Sequence, residues 1–117
     1  GYDIFPYLPV MTGRIVESPE LSNRFLQDLR RTVSDCIYEN HYMLFKELAH
    51  KHGMMIDPES GGPCYTPVDA LQIMSISDIP HGEYWARSIS HVASEGARLS
   101  VRQSACVAHT NGKRFGS

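Results

Sequence analysis

The chain has 117 residues, 42% hydrophobic and 21% charged, with a formal net charge of −2. That is enough for one packed domain and argues against disorder. No basic patch favours nucleic acid or an anionic membrane, and no apolar run approaches the ~20 residues of a membrane-spanning helix.

Gly1 to Pro9 places aromatic and apolar residues around two prolines, which predicts an irregular packed stretch. Met11–Val16 reads as a turn leading into a short strand. Ser18-Pro19-Glu20 is a helix start, with a cap, a first-position proline and an acid at the positive helix end. Apolar residues then recur every three to four positions, from Phe25 through Leu48. His50, Lys51 and His52 fall in the last turn, and Gly53 stops the helix. Such a helix reaches roughly 50 Å, with room for a kink or break.

Met54-Met55-Ile56 reads as a buried parallel strand. The loop Asp57-Pro58-Glu59-Ser60-Gly61-Gly62-Pro63 follows it. Thr66-Pro67-Val68-Asp69 starts another helix, expected over Pro67 to about Met74. Ile79-Pro80 reads as a second strand end. A final helix capped at Ser88 or Ser90 runs to about His109. Asn111-Gly112 stops it, and Lys113-Arg114-Phe115 opens a new element. The alternation predicts a parallel α/β fold with about three βα units, too few to close a barrel of eight. The start without Met and the element opened at Lys113 lead to the expectation that residues 1–117 form one segment of a longer protein.

Glu59 is the leading candidate for chemistry, because loops after strands form the active face of parallel α/β folds. A carboxylate there can act as a general acid or base, or bind a cation or sugar hydroxyls. The plain alternative is an exposed acid beside a Pro/Gly turn. Glu83 is second, in His81-Gly82-Glu83-Tyr84-Trp85, where Trp85 and Tyr84 offer flat apolar faces to a sugar ring. Equally, the aromatics belong to the core and Glu83 caps a helix. Asp57 either shares the site as a metal or hydroxyl ligand or caps its own turn. Of the six histidines, His81 alone joins the candidate site. His50 and His52 suit helix-end roles. Cys36, Cys64 and Cys106 form no CxxC pair and read as buried or half-buried free thiols. Gly61-Gly62 lacks the Lys-Ser/Thr of a phosphate loop.

Taken together, these motifs resemble glycoside hydrolase family 106, the α-L-rhamnosidases. The likeness runs collinearly through Gly1-Tyr2-Asp3, Pro6-Tyr7-Leu8-Pro9 and Thr12-Gly13. It continues through Arg24-Phe25 to His52-Gly53, Glu59-Ser60-Gly61-Gly62-Pro63, Pro67-Val68-Asp69-Ala70-Leu71, Asp78-Ile79-Pro80, Glu83-Tyr84-Trp85 and Ala108-His109. Asp57 and Cys64-Tyr65 depart from the family's pattern. The resemblance implies a partial (β/α)8 TIM barrel, incomplete as a catalytic domain, whose parent is periplasmic or secreted. It implies inverting hydrolysis of terminal α-L-rhamnosides in plant or bacterial polysaccharides, assisted by calcium. Glu59 is then the choice for one of the two catalytic carboxyl roles and Glu83 the weaker candidate, for substrate or calcium binding; read from the residues themselves, Trp85, Asp57 and His81 join Glu83 in the substrate-binding set. The partners implied are a saccharide and the rest of the parent chain, or a second copy, covering exposed sheet edges. The alternative is a non-catalytic sugar-binding or interaction module that assembles with another chain.

Overall fold

The computed structural model describes residues 1–58, 67–82 and 95–116, with backbone alone over 95–100. A 3₁₀ helix covers Phe5–Thr12. Pro6 and Pro9 fix φ without a free N–H, which suits this tighter helix better than an α-helix. Gly13 ends it at φ 84°, donating its N–H to the Val10 carbonyl at 2.9 Å. The short strand expected at Met11–Val16 does not form. Val16 instead exchanges two hydrogen bonds with the buried Ser22 hydroxyl, at 2.9 and 3.0 Å. Tyr7 stacks on the buried Phe25 ring, with centroids 5.8 Å apart, and so seats this segment on the helix that follows.

That helix, α1, spans Pro19–Ile37. The Ser18 hydroxyl accepts from the Leu21 N–H, as its sequence position foretells. The Glu20 carboxyl is held below the usual range by its own backbone N–H and by the Ser18 hydroxyl. A π segment, Tyr38–Met43, leads without interruption into α2, Leu44–Lys51. The anticipated break is therefore a change of winding. A π turn takes up about one extra residue, and it falls where the buried positions Ser34, Tyr42 and Ala49 need a wider step to stay on one face.

Helix α3 is Ala70–Ile76 and helix α4 is Glu95–Thr110. The α3 cap is Asp69, whose carboxylate accepts from Gln72 N–H at 3.1 Å. The Asp69 N–H itself goes to the Ser34 hydroxyl of α1 at 2.8 Å. The predicted start at Pro67 thus shifts by one turn because a tertiary bond fixes the cap. Helix α3 packs on α4 and on the π segment. Val10, Phe25, Tyr42, Ala49, Ile56, Ile73, Met74, Val107 and Ala108 form the buried apolar set.

The described residues contain helices and a single isolated parallel bridge, His81 to Gly116, and no strand. The expectation of a partial α/β barrel with three βα units is therefore corrected. A parallel strand must be apolar on both faces, yet Met54 is 57% and Met55 72% exposed while only Ile56 is buried. Pro58 and Pro80 also remove the donors that a longer ladder needs. Among the described residues no helix is long and apolar enough to cross a membrane. Cys36 and Cys106 are free, as read, but exposed rather than buried or half-buried. Cys64 lies outside the described residues.

Candidate active site

Three short segments leave the C-terminal ends of α2, α3 and α4 and run side by side. Two of the helices stop in the same way. After α2, Gly53 at φ 70° lets Met54 N–H reach the Ala49 carbonyl and its own N–H reach that of His50. After α4, Gly112 at φ 63° lets Lys113 N–H reach the Ala108 carbonyl. This is the reversal that glycine permits and that a side chain resists.

Helix α3 ends on Ser77 without a glycine. Two lysines from elsewhere take its terminal carbonyls. Lys46 donates to the Ile76 carbonyl at 2.8 Å, and Lys113 to those of Ser75 and Ser77 at 2.6 and 2.7 Å. Burial and the neighbouring Lys46 charge push the Lys113 ammonium below its usual range, against a smaller pull from Asp78. An unpartnered helix end therefore receives cations where its dipole is negative.

The segment from Asp78 to Gly82 lies in the middle. On one side, Asp78 N–H donates to the Ile56 carbonyl at 3.0 Å, and the Asp78 carboxylate returns the contact by accepting Ile56 N–H at 2.7 Å. The same carboxylate oxygen meets His50 Nε2 at 2.8 Å. Burial pushes the Asp78 carboxyl up, but the His50 contact, the Ile56 N–H and the charges of His50 and Lys46 outweigh it. The group titrates below its ordinary value. On the other side, Gly116 N–H donates to the Pro80 carbonyl and Gly82 N–H to the Gly116 carbonyl.

Past this layer, His81 Nδ1 stands 3.0 Å from Asp57 Oδ2, each side chain about two-fifths exposed. An ionised carboxylate can only accept, so Nδ1 carries the proton in that state. The ring also lies over Gly116: a Cβ placed there would stand 3.4 Å from Nδ1. His81 is thus where all three segments meet. Asp57 and His81, both named from sequence, are in contact. Glu59, Glu83 and Trp85 lie outside the described residues. The tie of His50 to Asp78 was not anticipated. His50 carried only a helix-end reading, and no local spacing signals a partner 28 positions away.

The described residues hold no group of three or more His, Cys, Asp or Glu side chains suited to a metal. Asp57, read as a metal or hydroxyl ligand or as a cap of its own turn, has its carboxylate against the His81 imidazole. Calcium prefers six to eight oxygens, so the described residues do not fit it and no step here is routed through it. A groove of about 380 Å³ is lined by Glu39, Met43, Leu44, Lys46, Glu47 and His50. All six belong to one continuous helix, so they supply no facing wall and the candidate site is not built on it.

Comparison with known proteins adds identity to this geometry. The family model described as alpha-L-rhamnosidase, glycoside hydrolase family 106, matches residues 1–117. A relative from Formosa agariphila, described as "Putative beta-glucuronidase", is 40% identical over 86 residues. That match covers 74% of this chain and 7% of the relative, so the chain spans a small part of the protein it resembles. No solved structure matches. The chain belongs to glycoside hydrolase family 106.

Proposed function

We propose that this chain contributes Glu59 as one of the two carboxyl groups of an inverting glycosidase, whose full-length form removes terminal α-L-rhamnose from polysaccharides or glycosides. The observation that carries the reading is the contact between Asp57 and His81. Glu59 follows Asp57 by two positions and Glu83 follows His81 by two. Two residues span at most about 7 Å, so each glutamate is tethered within that reach of one member of the pair, and this sequence proximity is what supports the reading.

An inverting enzyme needs one carboxylic acid to protonate the leaving oxygen and one carboxylate to activate water on the opposite face. The two groups stand roughly 6.5–9.5 Å apart to leave room for that water. Glu59 takes one of these roles. Glu83 holds sugar hydroxyls, and Trp85 offers its ring to the apolar face of the sugar. The name of the relative from Formosa favours a second reading, in which the glycone is a β-glucuronide.

The test is to offer the full-length protein an aryl α-L-rhamnoside and an aryl β-D-glucuronide and to follow the first-formed anomer by proton NMR. Turnover of the rhamnoside with release of the β-anomer is expected. Turnover of the glucuronide alone transfers the reading to that sugar, and a retained anomer overturns the inverting mechanism.

A further inference from the structure

We infer that Asp57 and His81 are a positioning pair, a side-chain clamp that sets the spacing of the two chain segments leading to Glu59 and Glu83, rather than substrate ligands in their own right. This rests on the reading of Glu59 as catalytic and adds to it a role for Asp57 and His81, which precede Glu59 and Glu83 by two positions.

The backbone gives little hold here. The Asp78 N–H to Ile56 carbonyl bond is the backbone contact found between the first two segments. Beyond it, Pro58 on one side and Pro80 on the other have no N–H to extend a ladder. The side chains of Asp57 and His81 bridge the segments where that ladder stops, at 3.0 Å. The backbone entering the contact is restricted: Asp57 precedes a proline, which disfavours helical ψ, and Pro80, just before His81, has its own φ fixed. The ring is also fixed from behind. It packs on the Gly116 backbone, and the two hydrogen bonds of Gly116 to Pro80 and Gly82 keep that backbone in place. One imidazole therefore joins segments arriving from α2, α3 and α4.

Such a clamp matters for catalysis because placement is steep. A 1 Å displacement of a reacting group costs about 100-fold in rate. A residue that binds substrate directly and a residue that only holds the catalytic group leave different kinetic marks.

The experiment uses the full-length protein and the aryl glycoside that it turns over, with D57A, H81A, the double variant, and H81N. An asparagine amide nitrogen falls near the place of Nδ1, so H81N keeps the donor to Asp57. We expect D57A and H81A each to lower kcat about 10- to 100-fold with KM within about threefold. The double variant should be no worse than either single one, because both break the same contact. H81N should recover to within about fivefold of the parent. A raised KM at unchanged kcat, multiplicative losses in the double variant, or an H81N as impaired as H81A overturns the clamp. Amide hydrogen exchange provides a reading free of activity. Peptides covering residues 54–58 and 113–116 should exchange faster in D57A and H81A and at the parental rate in H81N; no change in any of them also overturns it. If Glu59 proves dispensable while exchange responds as stated, the clamp stands and the catalytic assignment fails.

Discussion

Replacing Asp78 by alanine removes two contacts from one oxygen, the Ile56 N–H at 2.7 Å and His50 Nε2 at 2.8 Å. A hydrogen bond to a charged acceptor contributes about 1.5–3 kcal/mol. The His50 contact counts for little, at most about 1 kcal/mol, because the His50 side chain is 44% exposed and solvent screens the pair. The Ile56 amide is the larger loss, since Ile56 itself is 2% exposed and its N–H loses a charged acceptor. A local cost of about 2 kcal/mol follows. Read by native-state amide exchange, that makes the Ile56 N–H exchange roughly 30-fold faster. Asp78→Asn keeps an acceptor and should cost about half as much. The pH dependence has a definite sign. The folded-state value of Asp78 is depressed, so the unfolded chain binds more protons and stability rises with pH between the two values. The contribution is fully present above the ordinary carboxylate value of about 3.9 and is lost as pH falls through the depressed one. Titration of Asp78 itself should therefore leave Ile56 protection, corrected for intrinsic exchange, unchanged between pH 7 and pH 5. Exchange in D78A within threefold of the parent, or D78N as damaging as D78A, would show that the Asp78 carboxylate does not hold the Ile56 amide.

Two further outcomes follow from the same region and from the surface. Lys113→Met leaves the Ser75 and Ser77 carbonyls without their cation and should open the α3 end by about 2 kcal/mol, read as faster exchange across residues 70–77; unchanged exchange would show that Lys46 alone suffices. Cys36 and Cys106 should both react with a maleimide in the native protein, counted by mass spectrometry, and a requirement for denaturant would contradict their exposure.

Helix limits were legible where they are local. Ser18-Pro19-Glu20 caps α1 as read, and Gly53 and Gly112 end their helices at positive φ. The long apolar period correctly implied one continuous helical run, here 19, 6 and 8 residues in succession. The π winding inside it was not legible, because it answers to what Tyr42 and Ala49 pack against. Asp69 displaced Pro67 as the start of α3 through a bond to Ser34, 35 positions earlier. Met54-Met55-Ile56 misled for a different reason: three apolar residues in a row satisfy the pattern of a buried strand, but only Ile56 finds a core. The Lys46 and Lys113 caps on α3 carry no sequence signal at all, since any surface lysine looks the same until the fold brings it to a carbonyl. For the candidate site, residue type and neighbouring prolines and glycines drew attention to Asp57 and His81. Their mutual contact, and the layer of His50, Asp78 and Ile56 next to it, came only from the fold.

The catalytic role proposed for Glu59 rests on its place in the sequence two residues after the Asp57 to His81 contact. Steady-state hydrolysis by the full-length protein carrying Glu59→Gln tests it most directly. A general acid or base contributes typically about 10²–10⁴-fold. In that variant kcat/KM on the glycoside should fall by at least about 100-fold, with thermal stability and hydrogen exchange as in the parent. Activity within about threefold of the parent in a folded variant would contradict it.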